Sequence, residues 1–302
     1  MKTLLSRRRF LSAAVVACIS IAYPVHTLAA NPAGLSLASV SAVIVPFGVN
    51  QPIYSKHADI QMPIASLTKL MTALVVMQSG QSLDERLTLV PYRDNSGKNT
   101  YSRLRSGAQI SRRNLLHMAL MSSENMATYV LAHYYPGGVD AFVSRMNATA
   151  QSLGMFKTRF VDPSGLSPSN VSSANDLVKL ASATYQHSEI RRLSTIGQAD
   201  MHFVNPSHAL SYTNTNPLVR NPNWQVHLSK TGYIEEAGRC LLMVANIKGK
   251  LTTLVFLDSH GLRTPIGDAG RVRRWLETGE SGAVPDSALV YQRERLKRLS
   301  VI

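Results

Sequence analysis

The chain has 302 residues, about 33 kDa, of which 45% are hydrophobic and 17% charged. That is apolar material for one large core or two modest ones, which excludes a disordered chain, and 18 Gly with 14 Pro exclude collagen-like repetition. No uncharged apolar run reaches the roughly eighteen residues a spanning helix needs, so a multi-pass membrane protein is excluded as well. The formal charge is +14; four of the cations fall in the first thirty residues, which hold no acid, leaving +10 on the rest. A charge of that size suggests an anionic partner (nucleic acid, a lipid surface or a carboxylate-rich polymer), and charge alone does not choose among them.

Residues 1–30 read as an export signal. Lys2 and Arg7 to Arg9 form a positive start, Phe10 to Tyr23 is an apolar stretch too short to span a bilayer, and Ala29 and Ala30 suit cleavage. The run Ser6-Arg7-Arg8-Arg9-Phe10-Leu11 resembles a twin-arginine signal, and an ordinary arginine-rich secretory signal fits the same residues. Val15-Val16-Ala17-Cys18 has the form of a lipoprotein box, which would anchor Cys18 to lipid, but the apolar stretch continues past it to Tyr23. Cleavage at Ala30 would leave Cys240 as the sole thiol, a buried and inert one given its apolar run Cys240-Leu241-Leu242-Met243-Val244. The expected location is the periplasm.

Downstream, Ser39 to Pro46 and Pro52 to Tyr54 read as a β-hairpin. Leu67, Leu70, Met71, Leu74 and Val75 repeat with a helical period over Ser66 to Met77. Arg112 to Met121 and Asn125 to Tyr134 are two further helices separated by Ser122-Ser123-Glu124, and Val139 to Leu153 is another, stopped by Gly154. Phe156 to Asn175 is loop-like, with turn signals at Asp162-Pro163-Ser164-Gly165, and Asp176 to Tyr185 is a short helix. After a long polar connection come three strands, Gln225 to Lys230, Arg239 to Ile247 and Leu251 to Leu257, with Gly249 in a tight hairpin, and then a closing helix over Asp268 to Leu276. Strands at both ends with helices between predict an α+β fold, an antiparallel sheet built from both chain ends and packed against a helical subdomain. The expected domain organisation is a leader (1–30), one catalytic unit (31–279) and a basic C-terminal tail (280–302) read as a solvated helix.

Three short motifs carry chemistry. In Ser66-Leu67-Thr68-Lys69 a helix places residues three apart on one face, so the Lys69 amine can reach the Ser66 oxygen. A serine alcohol needs a base before it attacks, and lysine is a base only when burial or a neighbouring cation lowers its pKa. Of ten lysines only Lys69 has a serine three positions before it, yet an exposed lysine at a helix start would look the same. Ser123-Glu124-Asn125 offers a proton-relaying hydroxyl and an amide, although Ser173-Ala174-Asn175 has the same spacing and an inter-helix cap is the plainer reading. Lys230-Thr231-Gly232 pairs a cation and a hydroxyl suited to a carboxylate, with a glycine against which a substrate backbone can lie; alone, it also fits a surface lysine before a turn.

In that order, and in the context helix, inter-helix loop, late strand, the three motifs resemble the active-site set of the penicillin-binding proteins and serine β-lactamases. The resemblance runs over roughly Val40 to Gly279. Pro63-Ile64-Ala65-Ser66, Leu120 to Asn125, His133-Tyr134-Tyr135-Pro136-Gly137-Gly138 and Leu228 to Gly232 look closest to the small periplasmic D-alanyl-D-alanine endopeptidases of the penicillin-binding protein 7 type. The resemblance implies Ser66 as the acyl-ester nucleophile, Lys69 as its base and Ser123 as a proton shuttle. It implies substrate contacts at Asn125, Lys230, Thr231 and Gly232, with Lys230 lowering the Lys69 pKa and an oxyanion hole at the N–H groups of Ser66 and Tyr233. It implies peptidoglycan as substrate, β-lactams as covalent inhibitors and no metal or other cofactor, and the chain holds no His-Glu-x-x-His pattern.

Rival readings can be weighed on residues. A class A β-lactamase needs a glutamate between the second and third motifs, and the acids there are Asp140, Asp162, Asp176, Glu189 and Asp200, with no Glu before 189. A carboxypeptidase trimming terminal D-alanine shares all three motifs, but the larger enzymes of that kind carry an extra β domain and a membrane helix. The tail Ser287 to Ile302 suggests at most peripheral membrane contact. A catalytically dead wall-binding module would not need the serine and both lysines, and no aromatic-basic stripe supports nucleic-acid binding.

Overall fold

The computed structural model describes residues 34–92 and 102–300; the leader, with Cys18, lies outside them. In chain order the elements are β1 (Ser41–Pro46), β2 (Tyr54–Lys56), β3 (Met62–Pro63), α1 (Thr68–Gln78), β4 (Arg86–Thr88), β5 (Gln109–Ser111), α2 (Arg112–Met121), α3 (Asn125–His133) and α4 (Gly138–Ser152). Then come β6 (Val171–Ser172), α5 (Ala174–Tyr185), α6 (Ser188–Ser194), β7 (Gln198–Phe203), β8 (His208–Thr213), β9 (Gln225–Ile234), β10 (Gly238–Ile247), β11 (Lys250–Ser259), α7 (Thr264–Thr278) and α8 (Asp286–Arg298). Among them no helix is long and apolar enough to cross a membrane.

The main sheet is five-stranded and antiparallel in the order β2-β1-β11-β10-β9, so the two ends of the chain do meet in one sheet. The β1 register runs from Ser41 opposite Leu257 to Pro46 opposite Thr252. Lys248 and Gly249 both take positive φ in the turn joining β10 to β11, the geometry whose twist matches a two-residue hairpin. Because side chains alternate along a strand, Val43 and Val45 join the main core under the helices, while Ala42 and Ile44 pack on the other face with Val272 and Trp275 of α7. Helices thus cover both faces, which explains why β1 reads as a continuous apolar run.

Helix α1 is buried from Thr68 to Val76, on every side rather than along one stripe, as the central helix of the α layer. The connection read as polar and irregular holds α6 and the β7–β8 hairpin. Met201, Phe203 and Tyr212 anchor that hairpin to the core, and its other positions are mostly exposed, so the apolar signal is diluted.

The tail is not a solvated helix. In α8 Ala288, Gln292 and Leu296 are buried at helical spacing, Tyr291 Oη and Arg295 Nε each donate to Asp258 at 2.6 Å, and Gln292 Nε2 donates to Leu37 O at 2.8 Å. Lys56 Nζ returns a bond to Gln292 Oε1 at 2.8 Å. Much of the docking face is polar and its partners are remote in the chain, so hydrophobic periodicity does not reveal it. Cys240 on β10 is buried and unpaired, and burial pushes its thiol pKa up to about 12, which makes it inert at neutral pH.

Candidate active site

A single 3-10 turn, Ala65–Leu67, carries Ser66 into the start of α1. Ala65 there has φ 47°, held by Thr68 Oγ1 donating to Ala65 O at 2.8 Å. One turn on, Lys69 is wholly buried, and its ammonium donates to Ser66 Oγ at 2.8 Å, Asn125 Oδ1 at 2.7 Å and Ser164 O at 2.6 Å. Three donors meet three acceptors, so the side chain has one defined position. Burial pulls the Lys69 pKa down to about 7, against the opposing pull of the Asp162 and Glu124 carboxylates. Near neutral pH a substantial share of these amines is therefore free base.

The second motif lies on the α2–α3 junction. Ser123, at φ 64°, turns the chain so that Asn125 opens α3 facing Lys69. Glu124 caps α3 by accepting from Met126 N at 3.2 Å, and burial raises its carboxyl above the ordinary range. Ser173-Ala174-Asn175 plays no part in this site: Ser173 Oγ caps α5 by accepting from Asp176 N at 3.1 Å.

The third motif lies within β9, which runs on to Ile234 rather than ending at Lys230. Lys230 is buried, donates to Thr231 O at 2.8 Å, and has its pKa lowered well below the ordinary lysine value by desolvation first and by the Lys69 charge second. Burial is the leading cause of the shift for both amines, with the repulsion between the two charges as the second cause at Lys230. A β carbon on Gly232 would stand 3.0 Å from Ser66 N and 3.1 Å from Ile64 O, so only glycine lets the strand lie this close to the Ser66 turn. Ser66, Ser123, Asn125, Thr231 and Tyr233 all line one cleft of about 500 Å³.

Two contributors escaped the sequence reading. Thr215, after β8, lines the same cleft and accepts from Thr231 Oγ1 at 2.6 Å. The other is the Asp162 turn, read only as a loop. The Asp162 carboxylate accepts from Ser164 N at 2.7 Å, Ser164 Oγ at 2.6 Å, Gly165 N at 2.7 Å and Ser167 N at 3.0 Å, which aims Ser164 O at Lys69. Asp-Pro-Ser-Gly is a turn signal in any protein, so nothing local ties it to the lysine.

This geometry can be set beside known proteins. The family model described as D-alanyl-D-alanine carboxypeptidase, peptidase family S11, matches residues 26–261. The chain belongs to this family of serine peptidases. It is 46% identical to the D-alanyl-D-alanine endopeptidase of Escherichia coli (strain K12) over 274 residues, covering 91% of this chain and 87% of that one. With the D-alanyl-D-alanine endopeptidase of Pseudomonas aeruginosa the identity is 44% over 286 residues, 95% and 92% of the two chains. Among solved structures, the Streptomyces K15 DD-transpeptidase superposes with a TM-score of 0.74 at 28% identity, over 80% of this chain and 98% of that one. Penicillin-binding protein D2 of Listeria monocytogenes, in its cefotaxime-bound form, gives 0.69 at 30% identity, over 81% and 98%.

Within this family member, Gly165 cannot take a side chain without moving the backbone beside Ser66. At φ 84° a side chain is strained, and a β carbon would stand 2.0 Å from Ala65 O, beside Ser66. We expect Gly165→Ala to lose roughly a hundredfold in penicillin acylation rate, the scale of an ångström-sized misplacement, measured by stopped-flow labelling. Unchanged acylation would show that the turn does not set the Ser66 position.

Proposed function

We propose that this protein is a serine D,D-endopeptidase that hydrolyses the D-alanyl–meso-diaminopimelate cross-links of peptidoglycan. The observation that carries the reading is the buried Lys69 amine, held between Ser66 Oγ and Asn125 Oδ1 with its pKa near 7. The 46% and 44% identities to two D-alanyl-D-alanine endopeptidases support the choice of endopeptidase.

In the reaction, neutral Lys69 takes the Ser66 proton as Oγ attacks the D-alanyl carbonyl carbon. The oxyanion is held by the N–H groups of Ser66 and Tyr233. As the C–N bond breaks, Lys69 returns that proton through the Ser123 hydroxyl to the leaving amine and becomes neutral again. Lys230 and Thr231 hold the carboxylate beside the cut, and Asn125 orients the acyl chain. Water then attacks the ester and gives a proton to Lys69, which passes it to Ser66 Oγ as the acid leaves.

A β-lactam would enter by the same first step and stay. Of the acids between the second and third motifs, Asp162 is taken up by its own turn, Asp176 by Lys157 N, Thr158 and Lys179, Glu189 by Arg113 and Arg192, and Asp200 by Ser211. Asp140, on α4, is exposed, so none of these five acids stands free in the cleft to activate a deacylating water. The leader supports action outside the cytoplasm, in the periplasm, where a chain bearing +10 beyond the leader suits a carboxylate-rich wall.

The test is digestion of purified sacculi with the products identified by mass. Cross-linked dimers should fall and tetrapeptide monomers rise. Shortened pentapeptides with dimers untouched would make the protein a carboxypeptidase instead, and fast turnover of a chromogenic cephalosporin would make it a β-lactamase.

A further inference from the structure

The cleft does not end at the scissile bond. Beyond Gly232 it continues past Tyr233 and Arg239 to Leu262, Arg263 and Ile266. Tyr233 on β9 and Arg239 on β10 are register partners, so their side chains share a face of the sheet, and the guanidinium carbon lies 3.7 Å from the Tyr233 ring centroid. Arg239 is half-buried and forms no ion pair with any described carboxylate. The nearby Asp258 is already engaged by Arg295 and Tyr291. This close contact with the ring restrains the guanidinium, and its N–H groups donate to no described residue, an arrangement suited to a carboxylate.

Direction along the strand says which part of the substrate would meet it. Under the reading above, Lys230 and Thr231 hold the carboxylate on the leaving side and Tyr233 N–H marks the scissile carbonyl. The stem that becomes the acyl group therefore passes the level of Tyr233, where Arg239 stands directly across the register on β10 and also lines the cleft. In a wall cross-linked through meso-diaminopimelate, that stem carries the diacid just before its D-alanine, with a carboxylate at the far end of the side chain. We propose that Arg239, held over the Tyr233 ring at the acyl side of the cleft, recognises a free carboxylate on the donor stem peptide. This inference rests on the endopeptidase reading and makes Arg239 a specificity residue outside the bond-breaking chemistry. Arg263 also lines the cleft but is exposed and has no stacking ring.

The test compares two synthetic cross-linked dimers, one with that donor carboxylate free and one with it as a primary amide. The wild type should favour the free acid by about tenfold to a hundredfold in kcat/KM, chiefly through KM, the scale of one charge-assisted hydrogen-bonded pair. Arg239→Gln should bring the ratio close to one, and Arg239→Lys should restore part of it. Equal cleavage of both dimers by the wild type would overturn the proposal. So would an equal loss on both dimers in Arg239→Gln, or a preference that vanishes in Arg263→Gln and not in Arg239→Gln. Failure of the endopeptidase reading itself looks different: the wild type would cleave neither dimer, and this inference would fall with it.

Discussion

Ser66→Ala should abolish both cross-link cleavage and covalent labelling by fluorescent penicillin, with cleavage falling by roughly 10⁴-fold or more, as when a nucleophile is removed from a serine hydrolase. Ser66 is the half-buried residue where the cleft meets the Lys69 amine, and no other hydroxyl is bonded to that amine. The substitution removes one hydrogen bond, and Lys69 keeps its bonds to Asn125 and Ser164. The stability loss should therefore be about 1 kcal/mol, and the melting temperature should move by only about 2–4 °C. The pairing of a folded protein with no label is what distinguishes a lost nucleophile from a broken fold. Muropeptide release by a folded Ser66→Ala protein would end the serine mechanism.

The second large effect is one of pH. Lys69 must be neutral to take the Ser66 proton, and its pKa lies at about 7. The rate of penicillin acylation should rise with pH through about 7 and then level off. Burial lowers the Lys230 pKa as well, so any loss of the charge that holds the substrate carboxylate works against this rise. Lys69→Gln should lower acylation by roughly 10³-fold and abolish the ascending limb, because an amide cannot take the proton. Stability carries the same signature with a definite sign. The folded pKa lies below the unfolded value of 10.5, so the native state holds fewer protons and stability increases as pH climbs from about 7 toward that value. An acylation rate that is flat from pH 5 to 9 would show that the lysine is not the base.

Between them these two results bear on how the site is assembled. Ser66 and Lys69 meet through a single turn of backbone, and the same few residues give the turn its left-handed start at Ala65. The low proton affinity of Lys69 has another origin, the closure of α3, β9 and the Asp162 turn around it. A variant that opens the β9 side of this enclosure to water should raise the Lys69 pKa before it unfolds the protein.

The parts of this molecule that could be read from the chain are those whose partners are near in sequence or whose pattern is periodic. The Ser66–Lys69 pair, the Lys248-Gly249 hairpin, the cap at Gly154 and the α+β order all depend on local geometry, and they appear in the structure as the residues suggested. Asp162 was visible only as a turn, because its tie to Lys69 passes through a backbone carbonyl whose direction no sequence encodes. The polar face of α8 reads as solvated until Asp258 and Leu37 supply its partners. The physical reason is the same in each case: turn propensity and hydrophobic period are properties of a few consecutive residues. Burial, and with it the proton affinity of Lys69, belongs to surfaces that meet only when the whole chain has packed.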